Sequence, residues 1–266
     1  MHQVSTVSEG HYVPTRAASV SVARPHLGAI RAIPSLPADP LLDAYHAALA
    51  TRSYRVRRSA KRLIDIVGAG VLLVVLSPLL LLLTVSIRSS ASGSSIFRQE
   101  RLGRNGHVFR VAKFRSMYPD AEDRLEADES LRAAYVDNGY TLPLKVDPRV
   151  TPVGRFLRRT SLDEMPQLWN VLRGDMSLVG PRPVVPDELA CYEQWQWAYK
   201  AVRPGMTGLW QVSGRNAIVY PHRAQLDATY VAGWSLWADV KILFRTIGAV
   251  CKGSGHPEEQ HIEHTL

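Results

Sequence analysis

The sequence predicts a mainly helical α+β protein, monotopic in a membrane, with one N-terminal re-entrant helix hairpin and a cytoplasmic domain that contains a small β-hairpin. Three observations predict it. Residues 63–87, LIDIVGAGVLLVVLSPLLLLLTVSI, are the one apolar run of membrane length in the 266-residue chain, and about 20 apolar residues suffice to cross a bilayer. Cations flank that run on both sides, from Arg52 to Arg62 before it and at Arg88, Arg98, Arg101 and Arg104 after it, whereas a spanning helix has a single basic, cytoplasmic side. Beyond residue 95, a short stretch of period-two alternation gives way to apolar stripes of helical period.

Residues 1–58 read as a basic extension containing one short helix. Up to about residue 38 the chain mixes Ser, Pro, Ala, His and Arg without period and is expected to be disordered. Its first 30 residues lack an apolar core, so no cleavable signal peptide is expected. Asp39-Pro40 offers an N-cap followed by a proline at the first helical position, and a helix should follow over LLDAYHAALATRSY.

The membrane segment is placed at 59–90. Ser77-Pro78 lies just past the middle of the apolar run, where proline deletes a backbone hydrogen bond and bends a helix. A helix that bends there and leaves by the face it entered satisfies both the proline and the charges. A straight span with residues 1–62 outside would put five or six cations on the wrong side. Asp65 should stay at headgroup depth, neutralised by a neighbour such as Arg62.

The domain over 91–254 opens, after a Ser/Gly-rich link, with IFRQ and HVFRVAKFRSM around an Arg-Asn-Gly turn, which reads as a β-hairpin. Lys113 and Arg115 share one face of its second strand; either alone is adequately explained as a solvated charge. Residues 119–139 look like an acidic, exposed helix, and DPRVTPVGRFLRRTS supplies Arg155, Arg158 and Arg159. PDELACYEQWQWAYKAV reads as one amphipathic helix whose Tyr192, Trp195 and Tyr199 pack or anchor. RPGMTGLWQVSGRN is glycine-rich between Arg203 and Arg215, and Gly205, Gly208 and Gly214 would let the backbone approach a ligand. AQLDATYVAGWSLWADVKILFRTIGAVC gives two further amphipathic helices, and 255–266 is a flexible tail.

The centre of the domain is Thr160 to Pro183, TSLDEMPQLWNVLRGDMSLVGPRP, with Leu168, Trp169, Val171 and Leu172 as an apolar helical face. Ser161 and Glu164 could form a capping box, but Pro166 would then fall beyond the first turn. A later start, with Asp163 near the N-cap, keeps Pro166 in the free first turn. Taken locally, Asp163 and Glu164 are first explained as acids complementing the helix dipole.

The surroundings reverse that weighing. The net charge of +8 points to anionic partners. The chain has no zinc-finger spacing, aromatic-rich RNA signature or helix-turn-helix, so nucleic acid is excluded as the partner. Cys191 and Cys251 form no CxxC and suit a reducing compartment. Carboxylates that hold magnesium and arginines that clamp phosphates are the needs of phosphoryl transfer, and a membrane segment implies a lipid substrate. Moving a phospho-sugar from a nucleotide to a lipid phosphate would use every part.

KRLIDIVGAGVLLVVLSPLLLL, RLGRNGHVFRVAKFRSM, DPRVTPVGRFLRRTSLDEMPQLWNVLRGDMSLVGPRP and RPGMTGLWQVSGRN, in order and spacing from about Lys61 to Lys252, resemble the bacterial sugar transferases. These are the monotopic polyprenyl-phosphate hexose-1-phosphate transferases. The likeness is strongest to short members that start exopolysaccharide synthesis; larger members carry several spanning helices where residues 1–60 offer none. The resemblance implies transfer of galactose or glucose phosphate from a UDP-hexose to undecaprenyl phosphate through a phospho-sugar-aspartyl intermediate. It makes Asp163 the nucleophile, Glu164 the Mg²⁺ ligand, and Lys113, Arg158, Arg182 and Arg215 the lining of the phosphate and nucleotide site. Ser77 and Pro78 match its helix-breaking pair. It further implies the bacterial inner membrane, contact with its phospholipid and a cytoplasmic catalytic face, and leaves a homodimer open. A non-enzymatic membrane scaffold of polysaccharide assembly and a metal-dependent lipid phosphatase are the rival readings. No residue names the hexose.

Overall fold

The structure, a computed structural model, describes residues 39–90, 93–137, 142–144, 147–214 and 218–251. The N-terminal 38 residues, Arg215 and the tail from 252, on which expectations were placed, lie outside the described residues.

Helix α1, Pro40–Leu49, starts as its sequence requires: Asp39 caps it by accepting from the Leu41 N–H at 3.0 Å. It ends at Ala50, and Thr51 takes over as a cap, its hydroxyl accepting from the Tyr54 N–H. RSY therefore belongs to the next helix, α2, Arg52–Ser90, which takes in the whole basic cluster as well as the apolar run. The helix continues through Ser77-Pro78, where a turn-back was expected. Pro78 leaves the Val74 carbonyl without its N–H, and the Ser77 hydroxyl donates to that carbonyl at 2.7 Å. A local replacement for the lost bond lets the helical geometry persist.

One narrow stripe of α2 faces the rest of the protein. Asp65, Ala69, Leu73, Leu76, Leu80, Leu83 and Ile87 recur at steps of three and four residues and so form one face of the helix. The remaining circumference, including Val71, Val74, Val75, Leu81 and Leu82, is exposed hydrocarbon. Asp65 is buried rather than left at headgroup depth beside Arg62. Its carboxylate accepts from the Ser177 hydroxyl and the Leu178 N–H, both at 3.0 Å. Arg62 instead donates to the carbonyls of Val171 and Leu172.

The β-hairpin is as expected: β1, Ile96–Leu102, pairs antiparallel with β2, Val108–Phe114, in a register that sets Phe97 opposite Lys113. Asn105 takes the left-handed conformation in the connection, which asparagine tolerates. The acidic region forms two short helices, α3, Ala121–Glu126, and α4, Glu129–Asp137. Helix α5, Pro152–Thr160, is capped by Thr151. After a 3₁₀ turn, Leu162–Glu164, come α6, Gln167–Arg173, and β3, Ser177–Val179.

The expected single helix after Pro186 is in pieces: α7, Pro186–Ala190, a 3₁₀ turn, Glu193–Trp195, and α8, Gln196–Ala201. Glu193 has φ of 46° there, which interrupts the ladder. The break serves the core. It lets Tyr192 and Tyr199 both bury fully, one donating to Asp227 at 2.7 Å and the other to the Leu102 carbonyl at 2.5 Å.

Strand β4, Gly205–Thr207, pairs parallel with β3 and is followed by α9, Leu209–Ser213. The two C-terminal helices are present as α10, His222–Ala232, and α11, Leu236–Cys251. The main core gathers Ala69 of α2, Leu168 and Val171 of α6, Val179 of β3 and Val231 of α10.

Candidate active site

The 3₁₀ turn holds the acidic pair. Ser161 ends α5 in the left-handed conformation, and single-turn bonds follow: Glu164 N–H to Ser161 O, Met165 to Leu162, Leu168 to Met165. Pro166 can then serve as the N-cap of α6. Asp163 thus lies one turn ahead of α6 rather than at its N-cap, and no capping box forms. The apolar face also differs. Leu168 and Val171 are buried as expected, but Trp169 is 58% exposed, and Gln167 and Asn170 take its place inside.

Asn170 explains that choice. Its Oδ1 accepts from the Ala112 N–H at 3.0 Å, and its amide nitrogen donates to the Arg110 carbonyl at 2.9 Å. One side chain therefore occupies the open edge of β2 and locks α6 beside it. Lys113, the next residue of β2, then reaches the turn: its Nζ lies 2.9 Å from Glu164 Oε1. Arg182 NH2 approaches the same oxygen at 3.3 Å.

Arg182 is held from both sides. Before it, the Gly180 N–H donates to the Thr207 carbonyl and the Gly205 N–H donates to the Pro181 carbonyl. After it, the Val184 N–H donates to the Tyr199 hydroxyl, and the Val184 carbonyl accepts from Leu102. Of the three glycines expected to approach a ligand, Gly205 and Gly208 instead approach Gly180, and Gly214 lies against the Ile218 side chain. A Cβ at Gly205 would overlap the Gly180 nitrogen, and one at Gly208 would overlap the Gly180 carbonyl. Their absent side chains let β4 press against the Gly-Pro-Arg-Pro segment.

Arg158 comes from α5. Gly154 lets this helix rest on the end of the hairpin, since a Cβ there would overlap the Ser116 carbonyl. Arg158 Nε then donates to the Ser116 hydroxyl at 2.8 Å. Lys113, Arg158 and Arg182 all act on Asp163 electrostatically. Asp163 itself is only 9% exposed. Burial, and then the neighbouring Glu164 charge, push its carboxyl up to about 6, against the pull of the three cations. Glu164 in turn is the main reason the Arg182 guanidinium is held still more firmly protonated.

Of the expected site residues, Asp163, Glu164, Lys113, Arg158 and Arg182 come together, and Arg215 lies outside the described residues. Arg115 follows β2 directly, and Arg159 is exposed. Arg101 was missed. Burial lowers its pKa first, and it feels both Arg182 and Glu164, so it borders the same cluster from β1. Only its place in RQERL, two residues of strand from Gln99, hinted at a direction.

For magnesium, no three His, Cys, Asp or Glu side chains gather among the described residues. The donor set that is present, Asp163 with Glu164, nevertheless suits this ion. Mg²⁺ is usually held by one or two carboxylates, with substrate phosphates and waters completing the shell. Glu164 is shared with two cations, so the residues fit a metal arriving with a diphosphate and not a preformed cage.

The site is thus a buried carboxylate with a second beside it and a ring of cations, on a helical body that carries one helix long and apolar enough to cross a membrane. The chain belongs to the bacterial sugar transferase family, whose pattern it matches over residues 56–253. It is 48% identical over 202 residues to the UDP-galactose-lipid carrier transferase of Erwinia amylovora, covering 74% of this chain and 42% of that one. It is 47% identical over 197 residues to the exopolysaccharide production protein ExoY of Rhizobium meliloti, covering 74% and 87%. It is 46% identical over 204 residues to the undecaprenyl-phosphate galactose phosphotransferase of Salmonella typhimurium, covering 76% and 42%. The chain thus spans less than half of the Erwinia and Salmonella relatives and most of the Rhizobium one.

Proposed function

We propose that this protein transfers galactose-1-phosphate or glucose-1-phosphate from a UDP-sugar to undecaprenyl phosphate, the first step of exopolysaccharide synthesis at the cytoplasmic face of the bacterial inner membrane. The observation that carries the reading is Asp163: a buried carboxylate with a pKa raised to about 6, set among Lys113, Arg158 and Arg182. Burial strips water from the attacking oxygen while leaving it mostly ionised near neutral pH. The names of the relatives above supply the two substrates.

In the first half-reaction an Asp163 carboxylate oxygen bonds to the β-phosphorus of the UDP-sugar. The bond from that phosphorus to the bridging oxygen breaks, and UMP leaves with the electron pair. In the second, a phosphate oxygen of the lipid bonds to the same phosphorus and Asp163 is released as carboxylate. Arg182, fixed between two prolines, and Lys113 hold diphosphate oxygens and offset charge as the bridging bond breaks. Arg158, anchored on Ser116, faces the same phosphoryl group. Mg²⁺, held by Glu164 together with the substrate diphosphate, would supply charge neutralisation there.

The apolar run of α2 is read as a membrane insertion whose two ends stay on one side. Support comes from the packing seam, which engages the body through Ala69 and Leu73 before Ser77-Pro78 and through Leu83 and Ile87 after it. Exposed Trp237, Phe244 and Ile247 on α11 add apolar surface suited to the same interface.

Asp163→Asn tests the nucleophile. It keeps shape and removes the attacking charge, so UMP release should fall by several orders of magnitude while UDP-sugar binding persists. A variant retaining a tenth of wild-type activity would exclude Asp163 from that role.

A further inference from the structure

A second basic region lies at the other end of α6. Asp163 and Glu164 precede that helix, while a small open pocket of about 40 Å³ borders its C-terminus. Seven residues of helix rise about 10 Å, so the two regions are separate. Arg58, Lys61 and Arg62 of α2 line the cavity on one side and Arg203 on the other, with Tyr54 and Trp234 among its aromatic walls.

Some of this charge is structural. Arg62 donates to the Val171 and Leu172 carbonyls and Arg203 Nε to the Gly174 carbonyl, so both cap α6. Lys61 is paired with Asp239 at 2.7 Å. Capping and pairing leave the rest unexplained. Arg58 has no hydrogen bond or ion pair, and the terminal nitrogens of Arg203 have no bonded partner, among the described residues. The acid that lines the cavity, Asp65, is already bonded to Ser177 and Leu178. Arg203 is held below its ordinary pKa by burial and then by the charges of Arg104, Arg62 and Arg58. Among the described residues Asp65 opposes this crowding of guanidinium groups more weakly than any of the three arginines adds to it, and does not balance it.

Position indicates what does. Arg58, Lys61 and Arg62 immediately precede Leu63 and Ile64, which are exposed and open the apolar run. The cavity therefore opens where lipid headgroups would meet α2. Its lining of arginines with tyrosine and tryptophan suits a phosphate joined to an apolar stem.

We propose that this cavity binds the phosphate of an anionic phospholipid headgroup, with Arg58 and Arg203 as its principal ligands, apart from the catalytic cluster. The proposal rests on the membrane reading of α2. A resident lipid there would fix the depth and rotation of α2 and, through the α6 cap, the acidic turn at the other end of that helix.

The test uses the full-length protein purified in a neutral detergent, titrated with short-chain phosphatidylglycerol, short-chain phosphatidylcholine or inorganic phosphate. Binding is followed by native mass spectrometry and thermal shift. One phosphatidylglycerol per chain is expected, weakened at least tenfold by Arg58→Gln and by Arg203→Gln. Arg55→Gln, an equal charge change on an exposed residue of the same helix, should alter it less than twofold. Equal losses at Arg55 and Arg58 would mean diffuse surface attraction and overturn the site. Inorganic phosphate binding as tightly as phosphatidylglycerol would overturn the lipid assignment in favour of a soluble anion. Absence of one-to-one binding, in protein that still releases UMP from a UDP-sugar and still fractionates with membranes, would sink this inference while leaving the proposed function standing.

Discussion

Glu164→Gln is the most informative substitution, because it separates the charge of Glu164 from the space it fills. Glu164 is the second cause, after burial, of the raised Asp163 pKa. For any two like charges, a separation of about 6 Å at an effective dielectric of about 20 gives a repulsion of about 2.8 kcal/mol, or about two pH units, which sets the order of magnitude here. Lys113 and Arg182, released from Glu164 Oε1, would then act on Asp163 alone. Burial remains, so the pKa should settle one to two units below its value of about 6. The sign follows: ionised Asp163 attacks, so the acid limb of the rate profile moves to lower pH. The assay is UMP release in a single turnover without lipid acceptor, because a phosphate monoester titrates near pH 6 itself. Wild-type rate at pH 5 should be about a tenth of its plateau, and the variant's about half of its own lower plateau or more. A limb that stays in place, or moves upward, would refute the arrangement of Asp163 between Glu164 and the cations.

Three other outcomes are expected. Arg182→Lys should lose most UMP release, because an ammonium cannot copy a two-pronged guanidinium contact with phosphate; wild-type behaviour would make Arg182 a structural charge. Asp227 is fully buried with its carboxyl raised to about 7 by burial, and its Oδ1 has no hydrogen-bond partner among the described residues. A carboxyl raised in the folded state stabilises most below its unfolded pKa and loses that contribution as pH rises toward 7, by about 4 kcal/mol in all. Asp227→Asn should therefore flatten the pH dependence of unfolding and gain about 2 kcal/mol at pH 8, the remainder being offset by an unpaired amide; parallel stability curves for the two proteins would contradict this. Replacing Ser77-Pro78 by Ala-Leu restores the backbone hydrogen bond to the Val74 carbonyl, removes the proline from the apolar run, and should send a fraction of molecules into a spanning form. Impermeant labelling of a cysteine at residue 5, in a chain with Cys191 and Cys251 replaced by serine, reports it, and labelling without the Ala-Leu change would sink the one-sided topology.

Several features needed nothing beyond the sequence. The cap at Asp39, the hairpin around Arg-Asn-Gly and the two C-terminal helices are local, set by neighbours within a few residues. The apolar run was legible because its length is a property of composition. So was the acidic pair with its arginines as a set of charges, because side-chain charge is read directly from residue identity.

What the sequence could not supply came from contacts distant along the chain. Asn170 looked like a polar residue on an amphipathic helix; only the open edge of β2, about 60 residues earlier, makes it a clamp that brings Lys113 to Glu164. Gly205 and Gly208 looked like a ligand loop, yet they exist for the approach of Gly180. The helix after Pro186 was broken by the demand that Tyr192 and Tyr199 both bury and both find partners. The basic stretch before the membrane read as a topology signal, and packing turned Arg62 into a helix cap and Lys61 into the partner of Asp239. Periodicity and capping act over one or two turns, and composition states which groups are available. Which of them meet is settled by the packing of elements far apart in the chain, and the pKa of Asp163 is a consequence of that meeting.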